Sequence, residues 1–225
     1  MPTIAALVAV SAFVVAGNWQ RDRMHEKQAA ASQFDAASTA PPVALAAGVT
    51  DWTPWRYRRV EIEGRYDAAR QILLDNRVHL GRFGYHVVTP FRLADGRTVL
   101  VNRGFIPAGA TRDALPSAPA PAGEVRVLGR IHLPPARYVE LAPTAPDRGV
   151  WQNLDPARFA AATGLAVLPI VVEQLEGPAD GLARDWPAPE LSSAKHIGYM
   201  LQWYAFAAIV AALWAFFTFR RRRSA

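Results

Sequence analysis

Two long apolar runs bracket the chain, and between them hydrophobic positions recur with a period of about two. From Tyr199 to Phe219 there is no charged residue, and only Gln202 and Thr218 are clearly polar. At about 1.5 Å of rise per helical residue this run covers about 30 Å, the hydrocarbon thickness of a bilayer. Lys195 and His196 precede it and Arg220 to Arg223 close it, while Trp203, Tyr204, Trp214 and Phe219 lie toward its ends. Amphipathic rings prefer those interfacial depths. A core helix rarely stays apolar on all sides for this long or ends in four arginines, so the run predicts a membrane span with a cytoplasmic C-terminus. Ala207, Ala211 and Ala215 recur every four residues, and small residues at that spacing let another helix approach closely.

The N-terminal run from Ile4 to Gly17, followed by Asn18, Trp19 and Gln20, is open to three readings: a cleaved signal peptide, a transmembrane helix or a core segment. It has neither a charged n-region nor a clear small-x-small cleavage site, and Ala5, Ala9, Ala12 and Ala16 offer small surfaces to a second helix. We therefore expect a first span. Arg21, Arg23 and Lys27 would then follow that span outside, mildly against the positive-inside rule, whereas the C-terminal arginines favour this topology.

Residues from about Ala29 to Gly48 are rich in Ala, Ser and Pro and read as a tether, helical at its start. After Thr53-Pro54 short β segments follow. Val60 and Ile62 alternate with Arg59 and Glu61 up to Gly64, and Ile72 to Leu74 is closed by Asp75-Asn76. Tyr85 to Leu93 and Thr98 to Arg103 flank an Asp95-Gly96 hairpin turn. Pro90 marks its arm as an edge strand or a bulged one. Glu124 to His132 and Pro169 to Leu175 read as further strands. Asp155-Pro156 supplies an N-cap and a proline at the first position of a short helix that Gly164 stops. The expected fold is a membrane α+β protein, with two transmembrane helices flanking a β-rich extracytoplasmic domain, a small antiparallel barrel or sandwich with one short helix. The boundaries follow: a first span over 1–20, a juxtamembrane stretch and tether over 21–50, the β domain over 51–190, a second span over 196–219 and a basic tail over 220–225.

Composition narrows the function. A net charge of +6 suggests nucleic acid only weakly, because the arginines are scattered and four of them form the membrane stop; we expect no nucleic-acid partner. With no cysteine there is no disulfide framework, zinc knuckle or thiol nucleophile. No G-x-S-x-G or phosphate-binding loop occurs, and Ser117 sits in a proline-rich loop without a neighbouring His or Asp. Glu61 and Glu63, two apart on a strand, read as a solvated face rather than an acid–base pair. His79, His86 and His132 lie on separate segments, and Met24 and Met200 are isolated, which disfavours copper delivery.

Two places stand apart. His196 precedes the second apolar run by a helical turn, and at about 100° per residue it shares a face with Tyr199, Met200, Trp203 and Ala207. An imidazole beside an aromatic, partly apolar groove can ligate haem iron; an interfacial histidine can equally be a helix anchor, as Lys195 beside it would be. The second place is Val101-Asn102-Arg103-Gly104-Phe105-Ile106-Pro107, a hydrophobic strand that runs into an arginine before glycine and proline. It reads as a docking motif, or as a strand end whose arginine satisfies carbonyls or a carboxylate of its own domain.

Taken together these residues resemble the surfeit locus protein one family, membrane assembly factors for cytochrome c oxidase. The resemblance is carried by Trp19-Gln20 with Arg23 and Lys27, by Gly84 to Pro90 with Val99 to Pro107, and by His196-Ile197-Gly198-Tyr199 with Gln202-Trp203-Tyr204. Arg58 to Tyr66 and Trp151 with Asp155 add to it. It extends in order from about Gly17 to Phe219 and departs at the start, where basic residues expected before the first span are missing. The resemblance implies a non-enzymatic protein of the bacterial inner membrane, with both termini cytoplasmic and a periplasmic domain. It also implies transient binding of haem a on its way to the oxidase's catalytic subunit, with haem a synthase as a further partner. His196 matches the histidine proposed as axial haem ligand, with Tyr199 and Trp203 beside it, and Arg103, Gly104 and Pro107 form a structural or docking motif. A structural membrane partner that stabilises an oxidase intermediate without binding haem is the alternative.

Overall fold

In the computed structural model the elements run in the order α1 (Pro2–Thr39), β1 (Val43–Ala44), β2 (Arg59–Tyr66), β3 (Ile72–His79), β4 (Arg82–Leu93), β5 (Thr98–Pro107), β6 (Val125–His132), β7 (Val150–Trp151), α2 (Pro156–Thr163), β8 (Val171–Glu176) and α3 (Ala194–Arg223). The structure describes residues 2–109, 111, 114–135, 138, 149–186, 189 and 191–223; the last two residues of the basic tail lie outside them. The chain forms two units, Met1–Asp35 with Ala188–Ala225, and Ala36–Pro187.

The first unit is the helix pair. Both helices are long and apolar enough to cross a bilayer, and Ile4, Leu7, Val8, Val15, Leu201, Ile209, Phe216 and Phe217 are exposed. Such a surface suits lipid, where helical backbone groups are satisfied within the segment. It is the opposite of a core helix, whose apolar faces are covered. Here α1 overruns the expected span and continues through the first part of the tether.

The second unit is a barrel. β2 pairs antiparallel with both β6 and β4, β4 with β5, and β6 with β8, while β5 and β8 run parallel and complete a ring of five strands. This is the mixed Greek-key kind of closure seen in OB-type barrels, so the expected antiparallel barrel holds except at that one parallel contact. β1, in the stretch expected to be tether, adds parallel to β2, and β3 and β7 extend the sheet beyond β4. Val60, Ile62, Phe91, Val99, Val101, Val127, Ile131 and Val172 fill the barrel. Leu100 and Val171 point the other way, into a layer with Ile72, Trp151 and Phe159 of α2. Strands covered on both faces read as continuous apolar runs, as Val99 to Val101 do.

Three local expectations change. Gly64 does not end its strand: there β2 passes from pairing with β6 to pairing with β4, and a Cβ would collide with the Arg92 carbonyl. Asp75-Asn76 is a bulge within β3 rather than its end, with Asn76 at φ 59°. Pro90 lies on an interior strand, not an edge. β4 pairs with β3 up to Val88 and with β2 from Phe91, so Pro90 occupies the change of partner, where its missing N–H is not needed. The α2 cap forms as expected: Asp155 Oδ1 accepts from Ala157 N at 2.8 Å, and Gly164 stops the helix at φ 70°.

Candidate functional site

The helix pair is antiparallel. Trp214 Nε1 lies 3.3 Å from Thr3 Oγ1 at one end, and His196 Nδ1 lies 2.8 Å from Gln20 Oε1 at the other. Between them Phe13 stacks on Trp203 with ring centroids 5.7 Å apart, and Tyr204 donates to Asn18 Oδ1 at 2.8 Å. Seventeen or eighteen helical residues separate the two ends, about 26 Å along the axis. The His196–Gln20 contact lies at the end of the pair where both apolar runs stop. Gly17 makes the approach possible, because a Cβ there would stand 2.6 Å from the Tyr204 ring. Of the alanines expected at the seam, Ala207 is buried and Ala9, Ala16 and Ala215 half-buried, whereas Ala5, Ala12 and Ala211 are exposed.

His196 and Trp203 share this seam. Tyr199, one turn on, is 52% exposed on its flank, and Trp203 packs against Phe13 and Phe206. The residues fit axial ligation of a haem iron in one respect: a hydrogen bond at Nδ1 leaves the other ring nitrogen available. Gln20, 8% exposed, is the partner that sequence reasoning missed. Its signals were a polar residue at the end of an apolar run and its place in the Trp19-Gln20 pair that carries the resemblance.

The Arg103 motif resolves differently. Arg103 is fully buried and is held from every side. Its guanidinium donates to Asp180 Oδ2 at 2.8 Å, to Gln71 Oε1 at 2.9 Å, and to the Ala118 and Pro119 carbonyls at 3.2 and 2.9 Å. Its carbonyl accepts from Arg184 Nε at 2.8 Å, and Arg184 also bonds Asp180. A charge taken this far from water is tolerated only with such complete pairing. Gly104 faces the same segment: a Cβ would stand 2.6 Å from the Ala183 carbonyl oxygen and 2.9 Å from Leu182 Cβ, on a backbone at φ 145°. Pro107 ends β5 opposite Gly84 and is half-buried. The motif thus clamps the proline-rich loop and the 180–184 segment to the barrel. Asp180, Arg184 and Gln71 carry no local sequence signature, being up to 81 positions away.

Glu61 and Glu63 both bridge Arg126, at 3.3 and 2.7 Å, as a solvated strand face does. His86 and His132 line one cavity of about 310 Å³ with Arg77, Asn102 and Glu173. Burial, helped by Arg77 and His79, pushes the His86 imidazole down to about 4. Among the described residues no cluster of His and carboxylate groups is arranged to hold a metal ion.

These features define a two-span membrane protein whose chain between the spans folds as a small closed barrel. Residues 7–208 match the SURF1 family. A SURF1-like protein of Monosiga brevicollis is 27% identical over 89% of this chain and 81% of its own length. Surfeit locus protein 1 of Mus musculus is 29% identical over 92% and 72%, and that of Homo sapiens 27% over 94% and 75%. The chain belongs to the SURF1 family, a family of oxidase assembly factors rather than of catalysts.

Proposed function

We propose that this protein holds haem a in transit to the catalytic subunit of cytochrome c oxidase, with His196 as the axial ligand. The observation that carries this reading is the imidazole at the end of the paired apolar runs, bonded at Nδ1 to a buried amide of the other helix. Haem a is here the cargo, and the iron–imidazole bond is what it contributes to its own retention. The chain's residues supply the rest. Gln20 orients the ring, Trp203 with Phe13 gives an aromatic seam below it, and Tyr199 offers an exposed ring on the flank. A site with one strong ligand and an open flank suits handover better than storage.

The setting is the bacterial inner membrane, with both termini cytoplasmic and the barrel periplasmic. Haem a synthase is the natural donor and the oxidase's catalytic subunit the recipient. The antiparallel helix pair, which brings the two helix ends at Thr3 and Trp214 together, supports this topology, as do the terminal arginines. A periplasm-active reporter fused near Pro119 should be active and one after Ala225 silent; activity at both or neither removes the arrangement. The alternative is a partner that stabilises an oxidase intermediate without haem. An absorption spectrum of protein purified from cells that make haem a separates the two: a haem a band supports carriage, and its absence leaves the structural role.

A further inference from the structure

We infer that Gln20 is a positioning residue that fixes His196 in the tautomer able to bind iron, so that the site belongs to both helices. This rests on the haem-ligand reading of His196. An imidazole ligates through a nitrogen lone pair, and the hydrogen bond made by its other nitrogen decides which one carries the proton. Gln20 Oε1, 2.8 Å from Nδ1, is a carbonyl oxygen and can only accept. In a neutral ring Nδ1 then carries the hydrogen, and Nε2 keeps its lone pair. The reversed amide would present N–H to Nδ1, force the hydrogen onto Nε2 and close the ligand position. One heavy-atom arrangement thus has two chemistries, and the orientation of the Gln20 amide, oxygen toward Nδ1, selects between them.

The rest of the helix pair holds Gln20 to this task. It is nearly buried, and a primary amide removed from water is costly to leave unbonded. Its place opposite His196 is set one turn below, where Gly17 lets the Tyr204 ring approach and Asn18 accepts the Tyr204 hydroxyl. A carboxylate at position 20 would keep the acceptor; an aliphatic side chain would remove it.

The test uses the full chain in nanodiscs without haem, with its five histidines labelled with nitrogen-15. The signal missing in His196→Asn identifies the residue, and its two nitrogen shifts report the tautomer at a pH where the ring is neutral. Wild type and Gln20→Glu should show hydrogen on Nδ1; Gln20→Leu should lose that preference. For the same proteins made in haem a-producing cells, Gln20→Leu should retain haem about 10–100-fold more weakly, and Gln20→Glu should rescue it. Hydrogen on Nε2 in wild type, or an unchanged tautomer in Gln20→Leu, overturns the role of Gln20 whatever the haem content. Full haem on His196→Asn overturns instead the ligand reading beneath it.

Discussion

Replacing Gly104 should unfold the barrel's 180–184 flank rather than merely alter a surface. The smallest perturbation is Gly104→Ala, which puts one methyl group 2.6 Å from the Ala183 oxygen on a left-handed backbone at φ 145°. The segment must move. Its two backbone bonds to Phe105, at 2.8 and 3.0 Å, then fail together with the Arg184 bond to the Arg103 carbonyl. Neutral hydrogen bonds contribute about 1 kcal/mol each. If the shift also draws Asp180 away from Arg103, a buried pair is broken, at about 3–5 kcal/mol. The loss of about 5 kcal/mol or more rivals the whole stability of a domain, about 5–15 kcal/mol. Gly104→Glu adds a charge and should be worse. The assay is protein abundance in the membrane, with denaturant unfolding followed by tryptophan fluorescence. Lower abundance and an earlier midpoint are expected for both variants. Wild-type abundance and midpoint in both would refute the close-approach argument, and normal abundance with lost oxidase association would return the motif to docking.

Three further outcomes follow from the same contacts. Arg103→Met removes the hub of five hydrogen bonds within one side chain and should destabilise the barrel by about 3–5 kcal/mol, read as an earlier denaturant midpoint. His86 is held neutral at about 4 against about 6.5 unfolded; the unfolded state binds the proton first, so stability is complete above about 6.5 and falls as pH drops toward about 4. His86→Gln should flatten that part of the pH–stability curve. Gly17→Val should push Tyr204 off α1; because the chain has no cysteine, a cysteine pair at Thr3 and Trp214 reports the separation as reduced cross-linking.

What was legible in the sequence was local. Asp155-Pro156 and Gly164 specified α2 because cap and stop act within one turn, and Asp95-Gly96 specified its hairpin for the same reason. The apolar runs specified both long helices through period and length. Closure of the barrel was not legible, since β2 meets β4 and β6 through register alone, and Gly64 and Pro90 took their meaning from where strands change partners. Arg103 could be read as a strand-end arginine bonded within its domain; it is bonded there, but within β5, which continues to Pro107. Its partners Asp180 and Gln71 are 77 and 32 positions away, beyond any periodicity. His196 stood out by its place before a span, whereas Gln20, 176 positions earlier, acquires a role only when the helices pair.

The most direct test of the central claim is the haem a bound per chain in protein purified from haem a-producing cells, compared among wild type, His196→Ala and Lys195→Ala. Wild type and Lys195→Ala should carry equal haem, and His196→Ala should carry none while inserting in the membrane at the wild-type level. Full haem on His196→Ala would contradict the account and place the ligand elsewhere, with His25 of α1 the next residue to replace.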